Sequence, residues 1–209
     1  DIPNYDNYGG LGATNTGIKG AVGLGNGGQG AGIWPIHLAS YSHFMKAEAA
    51  MWLGDTGTAA AMMEAGMNLS FEKVLSFGSI DPDADSNYFA TATEVSDFVA
   101  MKVAEFNAAP ASSSLDGLGW PTEKDKLDIL GEQYFVAMFG GANDAWNFMR
   151  RTGYPRTLSR GIMDNVEAGP FPRTGTYPSG EISANPNILQ RQDNNTQVFW
   201  DNGATTPAN

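Results

Sequence analysis

Cysteine is absent from the 209 residues. That excludes disulfide bridges and thiol catalysis, so packing, hydrogen bonds and ion pairs alone hold the chain. Basic residues are few: 12 Lys and Arg stand against 23 Asp and Glu, for a net charge of −11. This balance argues against nucleic acid, whose phosphates select basic surfaces, and against attraction to anionic lipid headgroups. Histidine occurs twice, at His37 and His43. Six residues apart on one helix, the two point to different sides and make a poor metal pair. No apolar run approaches the ~20 residues that a membrane helix needs. The opening DIPNYDNYGG has no signal-peptide pattern. No serine lies in a GxSxG elbow. Carboxylates are plentiful, but nothing places two of them across a sugar as glycoside hydrolysis requires. These residue types and spacings locate no catalytic group, and no cofactor is expected.

What is present is a hydrophobic content of 42% with five tryptophans, enough for one domain with a sizeable core. Residues 1–35 are glycine-rich and low in helix signal, and read as a loop segment. Their GLGNGGQG lacks a preceding strand and a Lys-Ser/Thr end, so it is no phosphate loop. From Pro35 to Leu53 the spacing predicts a helix with Leu38, Tyr41, Met45, Ala49 and Trp52 inward. Asp55 caps a second helix reaching about Leu75. The two look like a tetratricopeptide-type hairpin, in which small residues let helices approach closely.

Asp81, Asp83 and Asp85 alternate like the start of a calcium loop. Ser86 replaces the expected glycine and Ala92 the closing glutamate, so the stretch reads as an acidic solvated loop. Thr91 and Glu94 form a capping box for a helix carrying Val95, Phe98, Val99, Val103 and Phe106 inward. The small-residue stretch APASSSLDGLG follows.

The most informative block is Thr122–Pro155. Thr122 is expected to cap a helix with Asp125, and Leu127, Leu130, Tyr134, Ala137 and Met138 share its buried face. Gly140 and Gly141 break it. A second helix turns Ala142, Ala145, Trp146 and Met149 inward and ends on Arg150 and Arg151, which suit the negative helix end. These arginines are expected to bond loop carbonyls of the 177–187 coil. From Arg156 onward helical periodicity is lost, and prolines punctuate an extended tail.

Gln133, then Phe139-Gly140-Gly141-Ala142-Asn143-Asp144-Ala145-Trp146, then Arg150-Arg151-Thr152-Gly153-Tyr154-Pro155, resemble the C-terminal signature of the SusD/RagB-like family. Tyr134 stands where that family usually has lysine, and Asp144 where it has glutamate. Tyr177-Pro178, Glu181, Asn185-Pro186-Asn187 and Phe199-Trp200-Asp201 resemble its closing pattern. The resemblance covers most of residues 36–202.

It implies a mainly α fold: tetratricopeptide-like helical hairpins with a long coil-rich C-terminal segment. Residues 36–209 would be the C-terminal portion of such a domain. It also implies non-catalytic capture of a nutrient, an oligosaccharide by expectation, at the outer-membrane surface. The partner would be a TonB-dependent transporter, and the lipid anchor would lie on an N-terminal part absent from this sequence. The rival readings are a helical-repeat interaction scaffold and a carbohydrate-active enzyme. If glycans bind, their apolar ring faces stack on aromatics. The candidates outside regular helix are Tyr5, Tyr8, Trp34 and Trp120. Trp52 and Trp146 are expected in the core, and Trp200 as a packing anchor.

Overall fold

Short polar side chains set the helix starts. Asp55 accepts the Thr58 amide at 2.9 Å and opens α2 (Thr56–Ser76), which packs along α1 (Ala39–Trp52) as a helical pair. The Thr91–Glu94 capping box forms as read and opens α3 (Ala92–Ala108). Then come α4 (Lys126–Ala137), α5 (Ala142–Thr152) and, in the tail, α6 (Ser179–Ala184). The computed structural model describes residues 35–76, 86–117, 120–158, 173–191, 194 and 196–201. Among these the chain is mainly helical, and the sole β pairing is a bridge between Leu115 and Pro121.

The core lies where α1, α2, α3 and α4 meet. Phe44, Met63, Phe106, Ile129 and Leu130 are fully enclosed. Each such side chain contributes on the order of 1.5–3 kcal/mol. Tyr134 occupies the centre. It stacks on Phe44 at 5.0 Å and meets Phe148 and Tyr41 edge-on at 5.0 and 6.1 Å. Gly66 lets Phe44 lie directly on α2: a Cβ there would stand 2.9 Å from the ring.

Several expectations change. Helix α1 starts at Ala39, and its buried face runs through Tyr41, Phe44, Ala47 and Glu48. Met45 and Trp52 point outward, Trp52 at 61% exposure. On α5, Ala145 and Met149 are inward as read. Ala142 is exposed, however, and Phe148 takes the core position expected of Trp146. The tail contains α6, a short helix that its prolines concealed.

The cap of α4 also moves. Asp125, not Thr122, is the N-cap, and Asp128 closes the box. Thr122 instead pairs with the Ser114 carbonyl through its amide at 2.9 Å. Both aspartates are needed elsewhere. The Arg156 guanidinium lies between them, bonding Asp125 Oδ2 at 2.7 Å and Asp128 through Nε at 3.1 Å. Its Nη1 donates to the Ser113 carbonyl at 2.9 Å, and its backbone amide to Asp128 Oδ1 at 2.8 Å. Tyr154 donates to Asp125 at 3.1 Å, and its ring faces Arg156. All three charged groups are buried. They tie together the loop before α4, the start of α4 and the chain leaving α5. Beside them Gly131 allows Pro155 to rest on α4, with only 3.1 Å from a would-be Cβ to the Pro155 nitrogen.

Gly66→Ala is expected to destabilise by about 1–3 kcal/mol in urea unfolding, because the stacked Phe44 ring cannot retreat. Burial pushes the Tyr134 and Tyr154 hydroxyls up to about 12, with the nearby Glu48 and Asp125 charges, respectively, adding to the effect. A raised acid pKa favours the folded state below the unfolded value near 10. Stability is therefore expected to fall as pH rises from about 10 to 12, in step with tyrosinate absorbance. Tyr154→Phe is expected to flatten that fall.

Candidate functional site

Between the start of α1, the end of α2 and the end of α4 the packing leaves a groove. Its main cavity holds about 350 Å³ and is lined by Pro35, Leu38, Val74, Val136, Phe139 and Gly140 among others. Phe139 is 92% exposed there. Two further cavities adjoin it. One of about 310 Å³ runs from Pro35 and Ile36 to Asn143 and Asp144 at the start of α5. The other, about 250 Å³, runs from Leu38 and Ser40 to Glu72 and Lys73. The groove thus has an apolar middle and polar ends.

The helix break at Met138–Gly141 creates this shape, because it turns the chain and projects Phe139 outward. Two buried hydroxyls flank the groove. Among the described residues, Ser40 Oγ and Tyr41 Oη have no hydrogen-bond partner. Tyr41 Oη lies 3.2 Å from where a side chain on Gly141 would begin. Burial, then the Asp144 charge, raise the Tyr41 pKa.

Of the sequence candidates, Trp120 is the one inside the described residues. It is half-buried in the loop ahead of α4, where its amide donates to Asp116 Oδ1 at 2.9 Å. That is the opposite end of α4 from Phe139, a helix length of about 18 Å away. Tyr5, Tyr8 and Trp34 lie outside the described residues, as do the calcium candidates Asp81, Asp83 and Asp85. Phe139 was missed because it follows a helix face that reads as core. Among the described residues no group of three or more His, Asp or Glu side chains could hold a metal. His37 bonds Ser42 Oγ at 2.8 Å and His43 the Ala39 carbonyl at 2.9 Å.

The paired arginines are structural, with different partners from those expected. Arg151 reaches α1 and grips the Glu48 carboxylate with both terminal nitrogens, Nη2 at 2.8 Å. Arg150 donates to the Arg173 carbonyl at 2.7 Å and lies 3.9 Å from the Trp146 ring centre. Trp146 is thus a half-buried platform for Arg150. Trp200 is likewise less enclosed than an anchor, at 41% exposure.

Tyr41→Phe is expected to leave stability unchanged or raise it by about 1 kcal/mol in thermal unfolding, since it removes a buried donor without a partner. A loss larger than that would mean that a bound water or ligand serves the hydroxyl.

No curated protein and no solved structure matches the chain. A family model, SusD-like, described as the Susd and RagB outer membrane lipoprotein, matches residues 34–201. Among the described residues no helix is long and apolar enough to cross a membrane. The match spans α1 to the Phe199-Trp200-Asp201 end, and the chain belongs to the SusD/RagB family of outer-membrane lipoproteins.

Proposed function

We propose that this chain captures an oligosaccharide nutrient at the outer-membrane surface, without catalysis, for delivery to a TonB-dependent transporter. The family match over residues 34–201 carries this reading. The groove beside Phe139 supports it, since it combines an exposed aromatic with the carboxylate of Asp144 and the amide of Asn143. A sugar offers the complementary pair, an apolar ring face and a rim of hydroxyls. Net charge of −11 suits neutral glycans better than anionic ligands. We also propose Trp34, Trp120, Tyr5 and Tyr8 as ligand contacts. We treat residues 36–209 as the C-terminal portion of the binding domain, with 1–35 as an adjoining loop segment.

Isothermal titration of the chain against a glycan panel tests this. Saturable binding without product release is expected, weakened about fivefold or more by Phe139→Ala at unchanged melting temperature. Product release would make it an enzyme. Binding of proteins but of no glycan would make it a scaffold.

A further inference from the structure

We draw no further inference here: the strongest candidate, the outward stripe of α1 through Met45, Ala49 and Trp52, is an exposed apolar face, and nothing in the structure shows what covers it.

Discussion

The guanidinium of Arg156, enclosed between Asp125 and Asp128, is the constraint on which the rest of the described structure depends. Two carboxylates out of water would be intolerable alone, and so would the guanidinium. Together they satisfy one another, and their spare bonding capacity takes in Ser113, Tyr154 and the start of α4. The arrangement is specific because each partner has a fixed geometry. Asp125 and Asp128 are one helical turn apart, and the Arg156 fork bridges that spacing. A buried ion group of this kind gives less net stability than an apolar core of equal size, but breaking it strands a charge. It therefore fixes where the chain leaves α5 more than it adds to total stability.

The position of α5 follows from that exit. With Pro155 resting on Gly131 of α4, α5 lies so that Phe148 meets Tyr134 and Arg151 reaches Glu48 on α1. The same placement aims Arg150 at the tail and so locates the Phe199–Trp200 turn. The start of α5 at Gly141 forms one side of the groove beside Phe139. The groove and the turn are thus consequences of how a single helix is pinned at its two ends. The groove is bounded by helix ends and the turn between α4 and α5, where local opening requires least disruption. The core around Tyr134 belongs to the opposite extreme.

Much of the fold was legible because its signals are local. The Thr91–Glu94 box, the Asp55 cap and the apolar spacing of α2 and α3 need only residues three or four apart. The errors have one physical origin, in partners distant along the chain. Two overlapping boxes, Thr122 with Asp125 and Asp125 with Asp128, compete on paper, and Arg156, 31 residues beyond Asp125, decides between them. Along α1, the stripe through Met45, Ala49 and Trp52 and the stripe through Phe44, Ala47 and Glu48 both contain Tyr41. A glutamate on a core face looks wrong until Arg151 arrives from 103 residues away. The exposed tip at Phe199 and Trp200 misleads for a related reason. Apolar character predicts burial, whereas a turn clamped by Arg173 and Asp201 holds both rings outward. The family resemblance was readable because its motif contains Arg151, Tyr154 and Pro155, which hold α5 beside the Arg156 ion group.

A double-mutant cycle on Arg156→Ala and Asp128→Ala, read by urea unfolding, tests this account most directly. The two losses should be strongly non-additive, with a coupling of about 2–3 kcal/mol, because each change alone already removes the bonds between Arg156 and Asp128. Additive losses, with coupling near zero, would contradict the claim that this ion group fixes the exit from α5.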